Sequence, residues 1–331
     1  MRIRRAAAIV LAIMLAFAFT ACAETGEREL KKITLSEVTH SVFYAPQYAA
    51  IALGYFEEEG IELELVNGGG ADKVMTAVLS GQVEIGLSGP EACIYVYNEG
   101  GGDHPKVFAQ LTKRDGSFIV GREKDDSFSF EKLKGTHVLA GRAGGVPYMT
   151  LEYMLSSYGV TPENTELDTS VAFDSMAGAF TGGTADYVAL FEPTATALEM
   201  EGKGYVLASI GQQAGEIPYT AYYASQSYIK DNAHVIEGFT AAVYKGQKWV
   251  DSASPEEIAE VIKDFFPDTD VEILTKVAER YKSIDAWNKD PLLKEDALSR
   301  LQDVIEASGE LTQRVEYSEI VDTSFAENVI K

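Results

Sequence analysis

The chain has 331 residues, with 51 Asp and Glu against 28 Lys and Arg, a formal charge of −23. A surface of that sign repels phosphate backbones, which excludes nucleic acid as a partner; the acidic surplus reads as solvation in a crowded or salty exterior. Two cysteines, Cys22 and Cys93, offer no disulfide framework, so stability must come from a hydrophobic core, and the length predicts roughly two domains.

At the N-terminus, Arg2, Arg4 and Arg5 precede an unbroken apolar run over residues 6–19, followed by the small-residue stretch Thr20-Ala21-Cys22-Ala23. These are the three zones of a secretory signal in order. The apolar run is shorter than the roughly 20 residues a permanent membrane-spanning helix needs. Phe19-Thr20-Ala21-Cys22 resembles a bacterial lipobox. That resemblance implies removal of residues 1–21 and a lipidated Cys22 that anchors the protein to the outer face of the cell membrane. Plain secretion, with cleavage after Ala21-Cys22-Ala23, is the other reading. Residues 22–32 are expected to be a linker.

From Ile33 onward, short β-rich runs alternate with helical stretches. Strands are expected at residues 33–39, 61–66, 83–87, 107–111, 137–140, 167–171, 187–191 and 205–210, with helix-period segments between them, such as 71–80 with Val74, Ala77 and Val78 on one face. Such alternation predicts an α/β fold of parallel-rich sheets flanked by helices. Helix starts are legible at Gly68-Gly69-Gly70, at Ser88-Gly89-Pro90-Glu91 and at Gly144-Gly145-Val146-Pro147. Each follows a strand, so several helix N-termini should converge at the C-terminal edge of a sheet, where ligands bind in open α/β folds.

An internal echo argues for two lobes. Residues 81–92 align without a gap on residues 184–195, matching at Leu, Pro and Ala, and both read as strand, turn and Pro-initiated helix. Beyond Ser225 the pattern turns helical. Asp231 can cap a helix over 233–250, Ser254-Pro255-Glu256-Glu257 is a capping box, and further helices fit 271–284 and 292–307. Gly121 and the stretch 218–223 are the expected crossings between lobes. Residues 33–121 would then begin lobe 1, residues 122–217 form lobe 2, and residues 218–331 return to lobe 1 and supply the C-terminal helices.

Phe43-Tyr44-Ala45-Pro46-Gln47-Tyr48-Ala49-Ala50, followed by Leu53-Gly54-Tyr55-Phe56-Glu57-Glu58-Glu59-Gly60-Ile61, resembles the signature of one group of ABC importer substrate-binding proteins, a group that takes sulfonates, nitrate, taurine or thiamine-pyrimidine precursors. The resemblance continues through residues 81–90 and Phe191-Glu192-Pro193. It implies a two-lobed, type II periplasmic-binding-protein-like fold that closes over a small molecule and delivers it, as a monomer, to an ABC transporter permease. It also implies a pocket built from His40, Phe43, Tyr44, Gln47, Asn67, Ser88 and Glu91, with Arg142, Tyr148, Asp174 and Glu192 from the second lobe. Tyr55 and Phe56 read as scaffold packed on the sheet after a helix closed by Gly54.

Enzymes exist on this fold, but the cysteine-rich motif of relatives that make the thiamine pyrimidine is missing. Gly86-Leu87-Ser88-Gly89-Pro90 ends in Pro where a nucleophile elbow needs Gly, and Ser227-Tyr228-Ile229-Lys230 lacks the motifs that accompany S-x-x-K. His40, His104, His137 and His234 lack metal-ligand spacing, and Gly68-Gly69-Gly70-Ala71-Asp72-Lys73 is not a P-loop, so neither metal nor cofactor is expected. A sensory input module would use the same fold but would carry a signalling segment. Glu192 has an alternative duty at a helix start. Arg142, between Gly141 and Ala143, suits a carboxylate or other anion. Glu91, Asp174 and Glu192 outnumber Arg142, which favours a nitrogen heterocycle rich in N–H donors over a sulfonate.

Overall fold

The computed structural model describes residues 29–331; the signal segment and the lipidation expected at Cys22 lie outside the described residues. Ten strands form two five-stranded sheets. The first contains β1 (Lys31–Glu37), β2 (Ile61–Asn67), β3 (Ile85–Ser88), β4 (Pro105–Thr112) and β10 (Thr220–Ser225) in the order β2-β1-β3-β10-β4. The second contains β5 (Ser117–Gly121), β6 (His137–Leu139), β7 (Glu166–Asp168), β8 (Tyr187–Phe191) and β9 (Tyr205–Ser209) in the order β7-β6-β8-β5-β9. The two orders are the same pattern: in each sheet the fourth position holds a strand that has crossed from the other half of the chain.

Those crossing strands, β5 and β10, run antiparallel to both neighbours, while the remaining pairs are parallel, so each sheet is mixed within the parallel-rich α/β fold expected from the alternation of strand and helix. The short 113–116 link carries the chain from β4 of the first sheet directly into β5 of the second, with no helix between them. Gly121 was expected to end the first lobe, yet Ser117–Gly121 already pairs with β8 and β9, which moves the first crossing to residues 113–116. The second crossing falls just before Thr220, where 218–223 had been expected to hold it.

Burial follows position in the sheet. All four residues of β3 are buried, as suits a central strand covered on both faces. The edge strand β2 alternates, with Glu62 and Glu64 in solvent. The echoed segments hold equivalent places, since β3 leads through Pro90 into the helix Glu91–Asn98, and β8 leads through Pro193 into the helix Thr194–Met200.

The C-terminal helices cover the first sheet. Helix Ala233–Ser252 lies on helix Ala45–Ala52, where Gly246 permits the approach: a Cβ there would stand 2.2 Å from the Pro46 carbonyl. Its N-cap is Asn232 rather than Asp231, because a preceding helix, Gln226–Asp231, absorbs the aspartate. The box at Ser254 forms as its sequence requires: the Glu257 amide donates to Ser254 Oγ at 3.2 Å and the Ser254 amide to Glu257 Oε2 at 2.8 Å. Phe56, fully buried, meets Phe239 of the long helix at 5.1 Å, so this aromatic is scaffold. Among the described residues no helix is long and apolar enough to cross a membrane.

Candidate functional site

The C-terminal ends of β1 and β8 meet through aromatic side chains. Ser41 caps the 3-10 turn Val42–Tyr44 that follows β1, and this turn presents Phe43. The Phe43 ring lies 6.1 Å from Phe191 at the end of β8, 5.8 Å from Tyr219 in the second crossing, and 5.0 Å from Tyr281 of the helix Val271–Ser283. Phe191 in turn lies 6.1 Å from Tyr219 and 5.6 Å from Phe173, which is 53 % exposed. Gly116, in the first crossing, makes room: a Cβ there would come within 2.7 Å of the Phe43 ring. The junction thus draws on both sheets and both crossings.

Two carboxylates are buried beside it. Glu91, the first residue of its helix, is 9 % exposed, and its Oε2 finds no hydrogen-bond partner among the described residues. Burial pushes its carboxyl up to about 7. Asp115, in the first crossing, is fully buried. Its Oδ1 accepts from the Ser117 amide at 2.6 Å and the Ser117 hydroxyl at 2.5 Å. Burial raises this carboxyl to about 6 even against those hydrogen bonds. The buried Tyr219 hydroxyl faces Asp115 closely enough to stabilise its carboxylate and also feels Glu91, and burial together with Asp115 keeps it un-ionised.

The other expected residues divide among separate environments. Tyr44 is buried beside Phe43, at 6.0 Å between rings. Ser88 is buried at the end of β3, its hydroxyl 2.8 Å from that of Tyr223. His40 and Gln47 belong to a network around the buried Glu37. His40 Nδ1 lies 2.7 Å from Glu37 Oε1, Gln47 Nε2 donates to Glu37 Oε2 at 2.9 Å, and His40 Nε2 donates to the Phe265 carbonyl at 2.8 Å. The Glu37 hydrogen bond raises the His40 pKa. With Asn67, His40 lines a cavity of about 580 Å³ walled by Ile51, Leu63, Leu65 and Phe265 at the ends of β1 and β2.

Across the junction, Glu192 is 3 % exposed and does not present a free oxygen. It accepts from the Thr196 amide at 2.8 Å, the Thr196 hydroxyl at 3.0 Å and Arg280 at 2.5 Å. The helix-start duty is therefore the one its geometry serves. Arg142 is exposed and its guanidinium makes no hydrogen bond or ion pair among the described residues. Tyr148 donates to Glu152 at 3.2 Å, within its own helix. Asp174 is exposed, with its backbone adjoining Phe173. Asp115, Tyr219, Phe173 and Arg280 were not singled out from sequence; Lys113-Arg114-Asp115-Gly116-Ser117 reads as an ordinary polar turn.

Two α/β sheets of equal strand order, joined by crossing strands and meeting at their C-terminal ends, define a periplasmic-binding-protein-type fold. Within that class the chain belongs to the NMT1/THI5 like family, whose model matches residues 42–258. It is 42 % identical over 323 residues to YtlA of Bacillus subtilis (strain 168), which carries the name of a binding protein; the match covers 97 % of this chain and 96 % of that one. The periplasmic aliphatic sulphonate binding protein SsuA from Escherichia coli superposes with a TM-score of 0.69 at 15 % identity, covering 90 % of this chain and 98 % of that chain. The desulfurization enzyme DSZB superposes at 0.63 with 12 % identity, covering 91 % and 99 %. At these identities the superpositions speak for the fold alone.

Proposed function

We propose that the chain is the extracytoplasmic solute-binding component of an ABC importer, which closes its two lobes over a small molecule at the aromatic junction and hands it unchanged to a permease. The observation that carries this reading is the junction itself, where Phe43 and Phe191 come from opposite sheets and the two crossings, at residues 113–116 and just before Thr220, are the places to bend. The lobes follow the sheets, with residues 117–209 as the second. Lipidation at Cys22 would hold a monomer at the outer membrane face, and plain secretion is the alternative.

For the ligand we favour a nitrogen heterocycle such as a thiamine-pyrimidine precursor, stacked on the junction's rings with its N–H groups turned to carboxylate oxygens. A sulfonate, taurine or nitrate is the second reading; the unpaired Arg142 guanidinium is the observation in its favour. A thermal-shift screen of aminopyrimidines, sulfonates, nitrate, flavins and amino acids tests both. Stabilisation by an aminopyrimidine, weakened in Phe191→Ala, supports the first. Stabilisation by a sulfonate that disappears in Arg142→Ala overturns it.

A further inference from the structure

His40 stands between two acceptors. Its Nδ1 lies 2.7 Å from Glu37 Oε1 and its Nε2 lies 2.8 Å from the Phe265 carbonyl oxygen, and neither an ionised carboxylate nor a carbonyl can donate. The surroundings leave the ring little choice. Glu37, 2 % exposed, already takes the Gln47 amide and the Tyr48 hydroxyl on Oε2, both at 2.9 Å, and Gln47 is held in that sense because its Oε1 accepts from Tyr222 at 2.9 Å. The Tyr48 oxygen is also 3.0 Å from His40 Nδ1, but its proton goes to Glu37 while it accepts from the Ser41 amide at 3.3 Å. A neutral ring protonated on Nδ1 would turn a lone pair to the Phe265 carbonyl, and one protonated on Nε2 would turn a lone pair to Glu37. Only the imidazolium serves both contacts.

The two contacts join distant parts of the chain. Phe265 ends the 3-10 turn Lys263–Phe265, which precedes the helix Val271–Ser283. The Phe266 ring stacks on His40 at 4.8 Å, a face that attracts a cation, and the Phe265 ring meets Tyr48 at 4.9 Å. The same two segments meet again at the junction, where Phe43, three residues after His40, lies 5.0 Å from Tyr281. His40 and Phe265 also border the 580 Å³ cavity.

Of the titratable groups around the ring, Glu37 comes from β1 and Tyr48 from the helix Ala45–Ala52; burial keeps Tyr48 un-ionised. The turn 263–266 offers the ring a carbonyl and an aromatic face, while its Lys263 pairs with Glu260 and feels Asp264. Glu37 is thus the charged group that acts on His40, and it favours the protonated form.

We propose that His40 is a proton-controlled pin, which as the imidazolium fastens the turn 263–266 to the end of β1 and on losing its proton releases that turn and widens the cavity beside it. The device is independent of which solute the protein takes. Because the folded pKa of His40 lies above its ordinary 6.5, the pin is fully set below that value and is lost as pH rises through the folded one.

The experiment is NMR titration of the isotope-labelled full mature chain between about pH 5 and 9, following the ring nitrogens of its four histidines, with His40 assigned through His40→Gln. At pH 6.5 both ring nitrogens of His40 are expected to carry protons, and the ring should titrate above that value. Hydrogen exchange supplies the second readout, through the Phe266 and Thr269 amides, which bond within the turn to Lys263 and Phe266. After correction for the intrinsic effect of pH, their protection should fall by about tenfold as His40 loses its proton, matching the loss of a hydrogen bond to a charged group, and His40→Gln should remove the step. Glu37→Gln should shift the His40 titration downward. A ring with one protonated nitrogen at pH 6.5, or protection of the turn that ignores the titration, overturns the proposal, and both are read on the wild type whether or not the variants fold.

Discussion

Glu91 and Glu192 occupy neighbouring roles in the two echoed turns and came to opposite fates. Glu192 accepts from the first turn of its helix and is neutralised by Arg280, whereas Glu91 folds back over Gly89, where a Cβ would stand 1.9 Å from its Oε2. An uncompensated buried carboxyl has a measurable signature. Its pKa is raised from 4.5 to about 7, so between those values the folded chain holds a proton that the unfolded chain has released. Stability therefore falls as pH rises through that window, by about 3 kcal/mol in all, and levels off above it. Denaturant titrations should show this slope diminished in Glu91→Gln, which should be the more stable protein at neutral pH. Arg280→Ala should cost about 3–5 kcal/mol by leaving Glu192 buried and unpaired, and the double variant with Glu192→Gln should recover part of the loss; an additive double variant would contradict the pairing. Sequence disclosed Glu91 and Glu192 but neither Arg280 nor Asp115. Arg280 lies 88 residues from its partner on a helix whose pattern is merely amphipathic, and Asp115 sits in a segment composed like a surface turn.

At the level of elements, eight of the ten strands were legible because each carries a short apolar run, continuous or alternating, and is followed by a helix or turn signal. The two that escaped, β5 and β10, are the crossing strands. Ser117-Phe118-Ile119-Val120-Gly121 has strand composition, yet it follows β4 directly and breaks the rhythm of strand and helix. Helix contacts are less visible in sequence still, because the residue that permits one is defined by what it lacks. Gly246→Ala drives a Cβ into the Pro46 carbonyl and Ala50 Cβ, at 2.2 and 2.9 Å, and should destabilise by about 1–3 kcal/mol. Gly178→Ala, in the helix Met176–Thr181 with nothing within 4 Å of its Cβ, should be neutral or stabilising by a few tenths of a kcal/mol up to about 1. Urea midpoints for the two variants check the pair, and equal values would show that the close helix approach is not rigid.

Taken whole, the molecule is two copies of one sheet pattern exchanging a strand, with the helix Val271–Ser283 touching both halves: Tyr281 reaches Phe43 at 5.0 Å and Arg280 reaches Glu192 at 2.5 Å. Any movement of the lobes must leave that helix as a pivot or break its ion pair. At the other end of the chain, the charged, apolar and small-residue zones of residues 1–23 give a prediction independent of the fold. A fatty-acid probe fed to cells should label the wild type and not Cys22→Ser, and a mature N-terminus at Glu24 would mean plain secretion. The central claim, closure over an unaltered solute, is tested most directly by small-angle scattering with and without the solute that the thermal screen selects. A smaller radius of gyration on binding, with the solute recovered chemically unchanged, is the predicted result; an unchanged radius, or conversion of the solute, would contradict it.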